Sequence, residues 1–385
     1  MATSIFRRPA MRWLVPAGVT TVVVAAAAAG PLIAGADADL PERTALQLVT
    51  DLATAERVPF AGTVVQSADL GLPAIPGADA APGRSGSTSA GSAVISLLSG
   101  STTARIWYAD ESTYRIALQD ELAETDLIRD GSDVWFWNSE ANTVSHVAVP
   151  ADAPTPADLP HPVQSPSDLA ELALDHIDPS TQVDVDGTAT VAGRAAYELV
   201  VRPRDEGSLI GSVRLAVDGE TSVPLRVQVY DLDGGEPAVE VGFTSVSFDT
   251  PDPSVFDFTP PPGATVEELD PAAATSDLPA DRPVPTIVGE GWSSVLVVRG
   301  VDLAAVSGEL AAGQDEQTAA LVQAMLDAFE PVSGAYGTGR AVTTGLVSAL
   351  LLDDGRLLVG PVTLDVLEHA ALDPAAAVDA PAATQ

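Results

Sequence analysis

Four histidines, His146, His161, His176 and His369, are scattered along the 385-residue chain with no metal-ligand spacing. His161 lies between prolines, and all four read as surface or hydrogen-bonded structural residues. The chain has no cysteine. That removes thiolate nucleophiles, thiolate metal sites, disulfides and thiol lipidation together. There is no G-x-S-x-G elbow, no P-loop and no G-x-G-x-x-G turn; Gly289-Glu290-Gly291 and Gly337-Thr338-Gly339 are isolated and read as a strand entry and a turn. Asp231-x-Asp233-Gly234 and Asp184-x-Asp186-Gly187 begin like a calcium loop, but neither continues to a bidentate glutamate, so both are expected to be turns. With 54 Asp and Glu, carboxylates that lie close in sequence say nothing about acid–base catalysis. The expectation is a protein that is not an enzyme and holds no cofactor or metal.

The aromatics carry more information. Only 5% of residues are aromatic, yet Trp107, Tyr108, Tyr114, Trp135, Phe136 and Trp137 fall in neighbouring strand-like segments. In Val134–Asn138 the alternation puts Trp135 and Trp137 on one face and Val134 and Phe136 on the other. Such a strand is either buried on both sides or lines a cavity for an apolar ligand on one side. The candidate lipid-cavity residues are Leu48, Leu52, Trp107, Tyr114, Trp135 and Trp137.

The elements that must position them follow from periodicity. Residues 41–58 read as a helix, with Ala45, Leu48, Val49 and Leu52 on one stripe. Residues 60–67 alternate as a strand, 74–92 are low-complexity Pro/Gly/Ala/Ser, and 92–99 suggest a short helix. Strands are expected at 102–108, 113–118, 124–129, 134–138 and 143–149, with a hairpin at Asp130-Gly131. A Pro-rich connector covers 151–166. Ser165 is an expected N-cap, ahead of Pro166 and Asp168, for a helix to about His176. A second meander spans 181–263, with turns at Gly193, Asp218-Gly219 and Gly234-Gly235, where positive φ is easy. Pro260, Pro261 and Pro262 are expected to end the sheet. An acidic linker at 270–285 precedes a strand at 292–299, a helix at 314–329, a hairpin of 340–352 with 356–359, and a helix at 363–371. The boundaries expected are 1–38 for a leader or anchor, 39–269 for the main domain, 286–372 for a small α+β domain, and 373–385 for a tail.

The net charge of −36 argues against nucleic acid and against a polybasic dock on anionic lipid. All 18 basic residues are arginine, and with 31 Gly and 31 Pro this composition suits a GC-rich genome, such as an actinobacterial one. Arg7, Arg8 and Arg12 precede the uncharged Leu14–Ala29, and Ala36-Asp37-Ala38 resembles a cleavage site. Residues 13–36 are also long enough to span a bilayer, which needs about 20 apolar residues. Both alternatives, cleavage and anchoring, predict export of the body.

The segments Phe60–Gln66, Ile128–Asn138, Ala192–Arg204, Leu215–Asp231 and Phe256–Glu268 resemble the LolA-like lipoprotein-carrier superfamily, and more closely its two-domain RseB/MucB-type regulators. The resemblance covers about 40–269 and implies an α+β fold: an incomplete, strongly curved antiparallel β-barrel wrapped around helices, followed here by a small C-terminal α+β domain. It implies a partner set of lipid or lipoprotein acyl chains, and for the regulators a membrane-bound anti-sigma factor or other signalling protein. Three readings compete: an exported lipid- or lipoprotein-binding protein, a regulator that engages a membrane partner, and an envelope protein with a solid core.

Overall fold

Local sequence signals set most of the elements. The computed structural model describes residues 40–55, 57–70, 99–119, 124–149, 165–175, 180–269, 285–301 and 329–373. The expected leader or anchor, the 74–92 low-complexity stretch, the 92–99 helix up to residue 98, most of the 151–166 connector, the linker up to residue 284, the 314–328 helix and the tail from 374 lie outside them.

Helix α1, Ala45–Thr54, starts at a capping box: the Gln47 backbone N–H donates to Thr44 Oγ1, and the Thr44 N–H donates to the Gln47 side chain. Helix α2, Pro166–Asp175, begins as expected, with Ser165 and Asp168 exchanging side-chain-to-backbone hydrogen bonds. The strands are β1 Phe60–Asp69, β2 Ser99–Asp110, β3 Thr113–Gln119, β4 Glu124–Asp130, β5 Asp133–Asn138, β6 Thr143–Ala148, β7 Thr181–Val191, β8 Arg194–Pro203, β9 Ile210–Asp218, β10 Pro224–Asp231, β11 Val239–Ser247 and β12 Thr265–Leu269. They form one twelve-stranded sheet in the order β12-β6-β5-β4-β3-β2-β1-β11-β10-β9-β8-β7. The sheet is open, with β7 and β12 at its edges. It is also strongly bent, because β7 and β11 touch although β8, β9 and β10 stand between them.

Three expectations about this sheet are corrected. Asp184-x-Asp186-Gly187 does not form a turn. It is a bulge inside β7 at Gly187 (φ +80°), with Asp184 paired to Arg202 and Asp186 to Arg214. At the β9–β10 turn the left-handed residue is Ser222 (φ +58°), not Gly219. The Asp218 carboxylate accepts from the Glu220 and Thr221 N–H groups and so organises a longer loop. Nor does the proline run end the sheet. It leads into β12, which pairs in parallel with β6, Thr265 opposite Thr143 and Leu269 opposite Val147. A parallel neighbour needs a crossover, and the ladder-incompetent prolines supply its extended path.

A second sheet follows the linker: β13 Thr286–Val288, β14 Val295–Val298, β15 Glu330–Gly334, β16 Gly337–Thr343, β17 Ser348–Leu352 and β18 Leu357–Gly360, in the order β13-β14-β18-β17-β16-β15. Helix α3, Leu364–Ala371, buries Leu367, Ala370 and Ala371 against Val295, Val297, Leu350 and Leu358. The single strand expected over 340–352 is two strands, broken where Thr344 caps a turn onto Val347. The strand expected over 292–299 begins only at Val295, because Gly291–Ser293 is a 3-10 turn.

Candidate functional site

Cross-strand pairing shows which side chains share a face. One face carries Leu199, Leu215, Val227 and Val241, partners along β8, β9, β10 and β11. It continues through Gly62, Ile106, Ile116, Leu127 and Phe136 on β1 to β5, with Tyr108, Tyr114 and Val134 in the adjacent row. This is the inner face. At its β7–β10 end, Leu48 of α1 and Ala170 and Ala173 of α2 are buried with Tyr197, Leu199, Val213, Leu215 and Val227, and Leu52 packs against the same cluster. Toward β6, Leu127, Val134, Val147 and Val149 are buried, while Tyr114 and Ile116 pack against them half-buried. Phe60, Tyr108 and Phe136 are half-buried too. Gly62 is required here, since a Cβ would lie 2.8 Å from the Phe243 ring and 2.7 Å from the Ser245 carbonyl oxygen.

The three tryptophans expected to line the cavity with Leu48, Leu52 and Tyr114 are on the other face. Trp107 pairs with Arg115, Arg115 with Ile128, Ile128 with Trp135, and Trp135 with His146, in one outer row. Trp137 lies in the next row, opposite Asp126. Arg105 and Arg115 stack over Trp107 at 4.7 and 5.5 Å. The segment 255–264 is a strap over this face: the Val255 carbonyl accepts from Arg115, and Phe258 packs at 5.6 Å from Trp135 and 6.4 Å from Trp137. The outer face of the aromatic-rich strand is therefore covered by the strap, which its tryptophans anchor. The alternation of Val134–Asn138 showed two apolar faces but contained nothing to say which of them pointed inward.

One residue that sequence reasoning missed sits where the two sheets meet. Trp292, read as the start of a strand in the second sheet, is only 4% exposed and belongs to the first sheet's helix-side core with Leu48, Ala173 and Tyr197. Its indole N–H donates to Thr181 Oγ1 at 2.8 Å, at the start of β7. Backbone bonds bolt the junction around it: Leu209 N–H to the Pro361 carbonyl at 2.8 Å, Thr363 N–H to the Gly207 carbonyl at 2.9 Å, and Gly345 N–H to the Leu70 carbonyl at 2.9 Å. Leu70, Ala238 and Leu346 form a small apolar cluster across the same seam. A tryptophan flanked by glycines in Gly289–Trp292 was a visible oddity for a strand, but its partner lies 111 residues away.

Two shallow, open hollows occur elsewhere, of about 390 Å³ beside Arg214, Tyr230 and Gly234 and about 370 Å³ beside Pro331 and Arg340. Neither includes any of the six expected cavity residues. Among the described residues no group of three His, Asp or Glu side chains is placed to hold a metal, and no helix is long and apolar enough to cross a membrane.

Residues 98–269 match the family described as the MucB/RseB N-terminal domain. The matched residues run from the start of β2 to the end of β12, the greater part of the large sheet. No curated protein matches the chain. Among solved structures, a chain of the Pseudomonas aeruginosa MucA/MucB complex is 19% identical with a TM-score of 0.40, over 85% of this chain and 97% of that one. A conserved protein of Thermus thermophilus is 12% identical with a TM-score of 0.31, over 58% and 99%. A LolA superfamily protein from Nitrosomonas europaea is 9% identical with a TM-score of 0.23, over 56% and 99%. TM-scores this low add no functional argument.

The MucB/RseB-type match ends at Leu269, the last residue of β12. That strand is held by a side-chain latch as well as by its ladder. His146 stacks on Trp135 at 3.9 Å and bridges Asp133 Oδ1 at 2.9 Å and Glu268 Oε2 at 2.7 Å. Burial pushes the imidazole pKa down, but the hydrogen bonds to Glu268 and Asp133 outweigh it and hold the value above the ordinary one. A raised histidine contributes stability that is complete below its unfolded value of about 6.5 and is lost as pH rises through the folded value. Both carboxylates are well exposed, so screening keeps the effect small. Amide exchange of 265–269, corrected for intrinsic rate, is therefore expected to be a few-fold faster at high pH than at pH 6 in the native chain, and equal at the two in H146Q. The same pH dependence in both proteins would remove His146 as the cause.

Proposed function

We propose that the chain is an exported, non-enzymatic binding protein that holds an acyl chain of a lipid or lipoprotein against the inner face of its half-barrel. The observation that supports this most directly is the reach of that face compared with the reach of the helices. Apolar side chains dominate this face from Leu199 on β8 to Val147 on β6, with buried Gln66 and Arg129 as its polar members. Helices α1 and α2, however, pack at the β7, β10 and β11 end. Phe60, Tyr108, Tyr114, Ile116 and Phe136 remain half-buried beyond them. An acyl chain laid on such a face gains about 0.8 kcal/mol per buried CH₂ without needing a polar partner. Of the residues named from sequence, Leu48, Leu52 and Tyr114 belong to this site, and Trp107, Trp135 and Trp137 act from the outer face by fixing the strap.

A second reading, a regulator that docks on a membrane-bound anti-sigma factor or similar signalling protein, is favoured by the MucB/RseB-type match and by the second sheet bolted to the first. The two readings are compatible, since a ligand-filled half-barrel can change the surface offered to a partner. Native mass spectrometry of the exported protein, before and after delipidation, tests the first. The expected result is an acyl-bearing adduct that delipidation removes and added lipid restores. A single unliganded mass in both samples, with no uptake on adding lipid, would rule the acyl reading out.

A further inference from the structure

We propose that residues 314–328 form a helix that docks across the apolar face of the second sheet opposite α3, so that this unit is built of helix, sheet and helix in three layers. The inference stands apart from the acyl-binding reading and concerns a different surface.

Four observations carry it. First, the second sheet is apolar on both faces. Strand pairing puts Ile287, Leu296, Val298, Leu351, Leu357 and Val359 on one side, where Arg340 is the only charged residue of the strands. The described helices lie elsewhere: α3 packs on the opposite face, around Val297, Leu350 and Leu358, and α1 and α2 pack on the first sheet. Leu351 is nevertheless only 9% exposed, and it belongs to none of the described apolar clusters. Second, the chain must cross the sheet. Between β14 and β15 stand β18, β17 and β16, and each neighbouring pair in that series is antiparallel, so β14 and β15 run parallel. The connection between them is a crossover, and crossovers between parallel strands of one sheet are almost always right-handed.

Third, the hand selects the face. The Asp353 N–H donates to the Thr338 carbonyl at 2.9 Å, so the backbone polar groups of Thr338 and Arg340 point to β17 while their side chains lie on the Leu296 face. For L-residues this places β17 to the right of an upward β16 seen from that face. A connection from β14 to β15 is then right-handed only when it passes over the Leu296 face. Fourth, the segment fits. Leu321, Val322, Met325 and Leu326 recur at helical spacing, while Glu316, Gln323 and Asp327 fall on the other side. Asp315 and Glu316 stand in the first turn, where the helix dipole favours acids. Residues 302–328 carry acids and no basic residue, which complements Arg340. The Val301 N–H donates to the Gly355 carbonyl at 2.9 Å in the β17–β18 turn, so the chain leaves β14 in the required direction. From that turn to the start of β15 is about 20 Å, roughly two and a half strand spacings across and about five residues along. A helix over 314–328 is about 22 Å long.

The test reads the maleimide reactivity of single cysteines in the full chain, which has none of its own. Ala349 lies in mid-face between Val342 and Val359. Ile287, 67% exposed on the edge strand β13, is the reference. A349C is expected to react at least about tenfold more slowly than I287C, and adding V322D/L326D to A349C is expected to remove that difference. Should V322D/L326D lose the native circular dichroism, cross-linking takes its place: a short bismaleimide is expected to join A349C to M325C and not to Q323C, which lies on the opposite side of the helix. Reaction of A349C as fast as I287C would show a bare face and overturn the proposal. Protection that survives V322D/L326D, or equal cross-linking to both positions, would overturn it as well. Protection that disappears on dilution would overturn it in favour of a second copy of the chain as the cover.

Discussion

Asp218→Ala is expected to destabilise the half-barrel by about 3 kcal/mol, the largest single-residue loss that the described polar contacts foresee. Asp218 is 2% exposed and ends β9. Its carboxylate accepts from both Nε and Nη2 of Arg194, from the Glu220 and Thr221 N–H groups, and from the Thr221 hydroxyl. Alanine would leave Arg194 with Glu220 as its remaining carboxylate partner and two turn amides without their acceptor, and unmade buried bonds cost more than made ones contribute. Burial alone would push the Asp218 pKa up, but the Arg194 hydrogen bond and the donors at Glu220 and Thr221 outweigh it and hold the pKa below the ordinary carboxylate value. A depressed acid contributes stability above its unfolded value of about 3.9 and loses it as pH falls through the folded one. Urea midpoints at pH 7 should therefore fall sharply for D218A and much less for D218N, which keeps an acceptor. A loss under about 1 kcal/mol in D218A would show that the turn holds without its carboxylate.

The second large effect has the opposite sign. Asp126 is fully buried on the outer face beneath the strap, and burial, only partly offset by Arg115, raises its pKa to about 6. Asp126 Oδ1, Arg115 Nε and Trp137 Nε1 have no hydrogen-bond partner among the described residues, so the charged form is poorly supported. An acid raised in the folded state contributes stability below its unfolded value, and that contribution is lost as pH rises from about 4 through about 6. The native chain should lose on the order of 2 kcal/mol across that window relative to D126N, whose side chain does not titrate. Stability curves of the two proteins, measured by urea unfolding at intervals from pH 4 to 7, should converge at the acid end and diverge toward neutrality. Parallel curves would mean that Asp126 ionises as freely in the folded protein as in the unfolded one. Asp218 and Asp126 are both buried aspartates next to an arginine. What separates them is the turn amides that Asp218 has and Asp126 lacks.

Much of the architecture was legible from local signals. The Thr44 and Ser165 caps, the period of Leu48 and Leu52, and the hairpin at Asp130-Gly131 are decided by neighbours in sequence, and the structure has them in place. Of the segments that carry the resemblance, Phe60–Gln66, Ile128–Asn138, Ala192–Arg204 and Leu215–Asp231 are strands and their turns, while Phe256–Glu268 is mainly strap. The errors came wherever two readings had equal local support. The prolines at 260–262 forbid a ladder within their own segment, but they do not forbid the chain from crossing the outer face and pairing again at Thr265.

Sequence by itself determined that the chain builds antiparallel strands with helices and a second unit, and that its strands are rich in apolar faces. Tertiary structure alone decided which face is inside and what fills it. A strand's period of two assigns residues to two faces without naming either, so Trp135 and Trp137 were as eligible for the interior as Val134. Only the long-range pairing of β1 with β11, and the strap over Trp135, broke that symmetry. Likewise, the burial of Trp292 depends on Thr181, Tyr197 and Leu48, which are distant in sequence and meet only after the sheet has curved.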